Sequence, residues 1–185
     1  MKIEKQPFGK LKDGSEVSLF TLTNNVVTVK ITNYGAIITA IEMPDKNGKI
    51  ENVACGFNKL ETYLSDEYLG SYPYFGSIIG RFGNRIAKGH LEIDGKVYQL
   101  AINNGPNHLH GGPTGFDKRV FSTETFETEN TVGLKLTYLS ADGEENYPGK
   151  LMVTCIYTLN GKNELGIDYH AETDKTTVVN LTNHT

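Results

Sequence analysis

The chain has 185 residues, enough for one domain with a sizeable core and too few to demand two. Its 18 basic and 22 acidic residues give a formal net charge of −4, with both signs mixed and no basic stripe, which argues against nucleic acid or an anionic membrane as a partner. Met1 to Gln6 lack the apolar core of a signal peptide, and no apolar run reaches membrane-spanning length, so the expected compartment is the cytoplasm. Cys55 and Cys155 are far apart and without metal-type spacing; two reduced, buried thiols are expected.

Helical periodicity is nearly absent. Short runs rich in Val, Ile, Thr, Tyr and Phe alternate with Asp-Gly, Asn-Gly and Lys-Asn turns. Glu16 to Leu22 alternates as a half-buried strand behind the Asp13-Gly14 turn. Val26 to Thr32 and Ala36 to Met43 read as the next two strands, and Pro44 to Gly48 closes the latter with hairpin chemistry. Val53 to Phe57 reads as a short buried strand and Leu60 to Leu64 as the one helical turn. Beyond the aromatic, glycine-rich segment Tyr72 to Ile79, His90 to Leu100 folds as two strands about Asp94-Gly95. Val120 to Glu127, Gly133 to Ser140, Leu151 to Asn160 and Glu164 to Glu172 follow as strands, and Val178 to Leu181 begins one more. Ten or more short strands with close turns imply an all-β fold, an antiparallel sandwich or barrel. No repeat, linker or composition break divides it, so residues 1–185 are expected to form a single domain. The sequence stops within a strand-like polar run at Thr185, which suggests a truncated polypeptide.

Asn103 to Asp117 interrupts this pattern. Two of the five histidines, His108 and His110, lie there among four glycines and two prolines. Glycine supplies φ > 0 and proline fixes φ, so the run reads as an ordered, function-bearing loop. Alternate strand residues share a face, so His108-x-His110 could set two imidazoles on one metal ion. No carboxylate follows before Asp117, and the glycines break a regular strand, so surface histidines bonded to their own turn are the competing reading. A second cluster, Arg81, Asn84, Arg85 and Lys88, lies between Gly80 and Gly89. It neither follows a parallel strand nor opens a helix, so a phosphate loop fails on context. Arg and Asn can instead fork hydrogen bonds to vicinal hydroxyls, with a solvated charged loop as the alternative. His184, taken alone, is a histidine near a terminus. His90 and His170 sit in strand patterns as structural residues, and Tyr147-Pro148-Gly149 is a turn whose aromatic ring pins the loop.

Three motifs, in order and spacing, resemble the aldose 1-epimerase (galactose mutarotase) family. They are Gly80-Arg81-Phe82-Gly83-Asn84-Arg85-Ile86-Ala87-Lys88-Gly89, then Asn107-His108-Leu109-His110-Gly111-Gly112 with Gly115-Phe116-Asp117-Lys118, and finally Asn180-Leu181-Thr182-Asn183-His184. Asp142-Gly143 and Tyr147-Pro148-Gly149 between them fit as well. The resemblance implies an antiparallel β-sandwich of the galactose-mutarotase-like (supersandwich) type with a sugar cleft on one sheet. It also implies an enzyme that interconverts the α and β anomers of galactose or glucose by acid–base ring opening, with no cofactor and no metal. Histidine, titrating at about pH 6.5, can deliver and recover a proton near neutrality.

By this resemblance His184 matches the general acid, and His110 the histidine that bonds the sugar and helps polarise its ring oxygen. Asn84 and Arg85 match contacts to substrate hydroxyls, while His108 falls at a variable position and takes no role. Family members are nearly twice as long, and their general-base glutamate, a substrate-binding aspartate and the aromatics after the His184 position have no match here. The chain is therefore expected to be an N-terminal half with little or no activity of its own, prone to self-associate or to pair with a C-terminal half. A non-catalytic carbohydrate-binding fragment and a hexose-6-phosphate 1-epimerase are the alternatives.

Overall fold

A computed structural model describes residues 1–185. Strands β1 (Lys2–Lys10), β2 (Glu16–Thr23), β3 (Thr28–Thr32), β4 (Ile38–Pro44) and β5 (Ile50–Asn52) pair antiparallel in chain order as one sheet. Two short helices follow, α1 (Leu60–Tyr63) and α2 (Asp66–Ser71). Then come the short strands β6 (Ile78–Ile79), β7 (Arg85–Ile86), β8 (His90–Ile93), β9 (Lys96–Gln99) and β10 (His108–Leu109). A second antiparallel sheet holds β11 (Ser122–Glu127), β12 (Thr131–Ser140), β13 (Leu151–Asn160) and β14 (Leu165–Thr173), again in chain order. Finally β15 (Thr182–Asn183) returns to pair with β6.

Period-two patterning drives the packing. Leu151, Val153, Cys155, Tyr157 and Leu159 of β13 are buried while the residues between them are not, so one face of the strand enters the core. Phe20, Leu22, Val29, Ile31 and Ile38 of the first sheet join them, and the two sheets close on one cluster of 18 buried side chains. Burial of each large apolar side chain stabilises by about 1.5–3 kcal/mol. A second cluster packs Tyr63 and Tyr68 of the helices beneath Val17 and Ile37. Asp94 and Gly95 both take positive φ, 52° and 74°, the requirement of the two-residue turn expected there.

The strand readings hold in most places and shift in a few. Val53 to Phe57 is not a strand, because the side chain of Asn52 accepts the N–H groups of Ile41 and Ala54 and ends the pairing at β5. Helix α2 lay outside the sequence reading, although Ser65 caps it by accepting the Tyr68 N–H and Asp66 and Glu67 occupy its first turn. Strand β1 was also unforeseen, and the final strand begins at Thr182 rather than Val178. Cys155 is buried and its thiol is pushed up to about 12 by burial, whereas Cys55 is exposed, against expectation. No helix is long and apolar enough to cross a membrane.

Candidate functional site

Four short strands bring the sequence motifs together. Pairing of β15 with β6 matches Thr182 to Ile79 and Asn183 to Ile78, and the His184 N–H continues the ladder by donating to the Ser77 carbonyl at 2.9 Å. The Asn183 side chain locks this register. Its Nδ2 donates to the Gly76 carbonyl at 2.9 Å and to Oη of Tyr157 at 3.1 Å, and the fully buried Tyr157 donates in turn to the Ala36 carbonyl at 2.8 Å. His184 is thus tied through Asn183 and Tyr157 to β13 of the second sheet and to the loop before β4. Its own side chain is exposed and makes no hydrogen bond within the chain.

His110 arrives from the other side. Strand β10 pairs with β7, and the His110 N–H donates to the Asn84 carbonyl at 3.0 Å while the Asn84 N–H donates to His110 Nδ1 at 2.9 Å. Both residues adopt left-handed backbone, φ 52° for His110 and 68° for Asn84, and Tyr74 does the same at 59°. Concentration of such conformations in non-glycine residues marks a place where the surroundings hold the chain against its preference. Gly111 follows with φ 84°, and a Cβ there would stand 1.8 Å from the Gly80 carbonyl oxygen, so only glycine lets the two loops meet.

The result is a triangle of rings. The His110 and His184 imidazole centroids are 5.4 Å apart at 77°, and Tyr74 touches both, at 4.8 Å and 5.8 Å. Burial, then the neighbouring His184 and Arg85, push the His110 pKa down to about 4, so the ring is neutral at pH 7. Since Nδ1 accepts from Asn84, the neutral ring carries its proton on Nε2. Arg85 is exposed; its Nε donates to Asn104 Oδ1 at 3.0 Å and its Nη1 to Asn84 Oδ1 at 3.1 Å. Further donors of Arg85 and the Nδ2 of Asn84 stay unpaired within the chain. A neutral donor imidazole, an exposed unbonded imidazole, an amide and a guanidinium suit a neutral, hydroxyl-rich ligand.

Two other candidates are structural. His108 is buried, with Nδ1 donating to the Ala101 carbonyl at 2.8 Å and Nε2 accepting from the Tyr147 hydroxyl at 2.7 Å. It is neither a surface loop histidine nor on the face of His110, and burial lowers its pKa. No three His, Cys, Asp or Glu side chains converge anywhere in the chain. Arg81 leaves the cationic loop altogether. It is 2% exposed, with Nε donating to Ser140 Oγ and its terminal nitrogens to the carbonyls of Ser140, Ala141 and Pro148. Lys88 is exposed at the loop's far end, with the Asn107 side chain accepting its backbone N–H at 3.3 Å. Tyr147 pins the loop as expected, and His90 and His170 are exposed strand residues.

Sequence reasoning missed Tyr74 and Asn183. The signal for Tyr74 was a bulky aromatic directly before Phe75-Gly76 in a stretch without strand alternation. Nothing in the sequence separates Asn183 from the other asparagines of its motif.

This sandwich and its site define the galactose mutarotase-like fold. A galactose 1-epimerase from Lactobacillus acidophilus NCFM superimposes with a TM-score of 0.86 at 29% identity, over 99% of this chain and 52% of that one. An aldose epimerase homologue from C. elegans gives 0.79 at 30% identity, over 90% of this chain and 49% of that one. The aldose 1-epimerase family model matches residues 18–185, and the chain belongs to that family. It is 44% identical over its full length to a galactose mutarotase from Sus scrofa, and 34% identical over 173 residues to an aldose 1-epimerase from Escherichia coli K12. The chain spans about half the length of these relatives, 51% and 48% respectively.

Proposed function

We propose that the chain supplies the sugar-gripping, acid-bearing side of an aldose 1-epimerase that interconverts α and β anomers of galactose or glucose. Ring opening requires a base to take the anomeric hydroxyl proton while an acid protonates the ring oxygen; rotation about the C1–C2 bond and reclosure complete the exchange. His184 is the acid, His110 donates from Nε2 to the sugar, and Asn84 and Arg85 bond its hydroxyls. One observation carries the reading: a neutral imidazole of fixed tautomer packs 5.4 Å from an exposed imidazole that no protein group occupies. By the family resemblance, the general base is assigned to the portion of the longer relatives that this chain does not match. Loss of one such group typically lowers the rate about 10²–10⁴-fold, so the 185-residue chain should show little or no turnover.

Calorimetric titration with galactose and polarimetry of α-galactose test this together. Binding with little turnover supports the proposal. A full mutarotase rate from the chain contradicts the assignment of the base, and absence of binding contradicts the assignment of the site. Hexose 6-phosphate fits less well, because Arg81 is withdrawn from the cationic loop into the interior. We also place the chain in the cytoplasm, as one β-sandwich unit of a longer domain. Strand β14 pairs only with β13, and its free edge, with half-buried Ile167, Tyr169 and Ala171, would receive the C-terminal half or a second copy.

A further inference from the structure

Tyr74 lies in none of the motifs that carry the family resemblance, yet it holds the centre of the site. Its ring meets His110 nearly edge-on at 78° and His184 at 46°. Its hydroxyl makes no hydrogen bond within the chain, so the ring rather than the oxygen is its structural contact. A second aromatic supports it from behind. Tyr72 packs on Tyr74 at 4.3 Å between centroids, and the Tyr72 hydroxyl donates to Asp117 Oδ2 at 2.6 Å. Lys118 Nζ bonds the same oxygen at 2.7 Å and lies 3.9 Å from the Tyr72 ring centroid and 5.7 Å from that of Tyr74. Asp117 is fully buried, so this backing is fixed in the interior. Tyr74 itself sits at φ 59°, a conformation a bulky residue keeps only when its surroundings impose it.

His184 is the ring that needs such support. No hydrogen bond orders its exposed side chain, and a freely rotating imidazole would spend much of its time away from a bound ligand. We propose that Tyr74 is a positioning residue whose ring, held from behind by Tyr72, Asp117 and Lys118, fixes the separation and mutual orientation of the His110 and His184 imidazoles. The consequence for sugar binding rests on the epimerase reading; the ring geometry does not.

Proton NMR of the chain, with the variants Tyr74→Phe and Tyr74→Leu, separates the two. In the wild-type chain the His110 and His184 ring protons should show NOEs to the Tyr74 ring and to each other. Tyr74→Phe should keep them and hold galactose affinity within about twofold, whereas Tyr74→Leu should lose the His110–His184 NOE and weaken affinity roughly tenfold. An intact NOE in Tyr74→Leu overturns the proposal, as does an affinity loss in Tyr74→Phe equal to that in Tyr74→Leu, which would assign the work to the hydroxyl. If Tyr74→Leu loses its dispersed amide spectrum, the wild-type NOEs decide, and their absence between His184 and Tyr74 is a refutation. The NOE pattern without any galactose binding supports the positioning role while removing the sugar reading.

Discussion

The backbone N–H of Asn84 points at Nδ1 of His110 across 2.9 Å, and that bond settles where the proton of the neutral ring resides. With Nδ1 committed as an acceptor, Nε2 is the donor, and burial beside His184 and Arg85 holds the ring neutral down to about pH 4. An unfolded histidine titrates at about 6.5, so between these values the unfolded chain binds more protons than the folded one. The His110 contribution to stability is therefore complete above about pH 6.5 and is lost as the pH falls toward about 4. Replacement by Asn, which tolerates left-handed backbone, removes this dependence. Thermal unfolding at pH 7 and pH 4.5 should show the wild type losing more stability than His110→Asn, and parallel losses would contradict the shifted titration.

His184 and Asn183 are adjacent and should behave in opposite ways. The His184 side chain is exposed and bonds nothing, so His184→Gln should change unfolding free energy by less than about 0.5 kcal/mol. On the proposed function its effect should fall on sugar binding instead. Asn183→Ala strips donors from the Gly76 carbonyl and Tyr157 Oη and should cost about 1–3 kcal/mol in chemical denaturation. Equal stability losses in both variants would show that the Asn183 side chain is not the anchor.

The buried pair His108 and Tyr147 should be purely structural. Tyr147→Phe leaves His108 Nε2 without its donor, and His108→Leu leaves the Tyr147 hydroxyl buried and unpaired, each at about 1–3 kcal/mol. The double variant should cost less than the sum, because neither orphan then remains. Galactose binding by the folded variants should match the wild type, which isothermal titration checks.

His108 and His110 show how far the sequence reaches. Alternation alone located most strands of both sheets, and β13 spans Leu151 to Asn160 as read, because one wet and one dry face leave a period-two record. The grouping of Asn84, Arg85, His110 and His184 came from motif resemblance, not from pattern. His108 and Arg81 could not be sorted from their neighbours by sequence. Each is a polar residue in a polar loop, and its burial depends on partners 39 and 59 residues away, Tyr147 and Ser140. Tyr74 escaped notice for the same reason, since aromatic clusters carry no periodicity outside regular elements.

Arg81 is accordingly predicted to be a stability residue rather than a sugar ligand. Its guanidinium reaches Ser140 Oγ and three carbonyls, and lies 5.9 Å from the Tyr147 ring. Burial pulls its pKa below the ordinary value, and a guanidinium stays charged in proteins, so the charge persists in the interior. Arg81→Lys keeps the charge and loses the planar fork, leaving carbonyls unpaired. A loss of about 3–5 kcal/mol in urea denaturation is expected, as for breaking a buried charged network. An unfolding midpoint unchanged from wild type would return Arg81 to the list of ligand contacts.

Gly111→Ala is the sharpest test of how the site is assembled. At φ 84° an alanine is strained before any contact is considered. Its Cβ would also lie 1.8 Å from the Gly80 oxygen, 2.4 Å from the Gly80 carbon and 2.8 Å from the Arg81 nitrogen. All three atoms are backbone, and no side chain can rotate to make room. Gly80 cannot retreat freely either, because its carbonyl accepts the Phe116 N–H at 3.2 Å and Phe116 belongs to the main core. The loop bearing His110 must therefore lift away, breaking the paired bonds with Asn84. The expected outcome is a destabilisation above about 3 kcal/mol together with loss of the low His110 titration midpoint and of galactose binding. Gly14→Ala, at a positive φ of 87° but with nothing within 4 Å of its Cβ, is the control for strain alone. If both variants lose the same modest stability and His110 still titrates at about 4 in Gly111→Ala, the close approach of Gly111 to Gly80 is not what brings the imidazoles together.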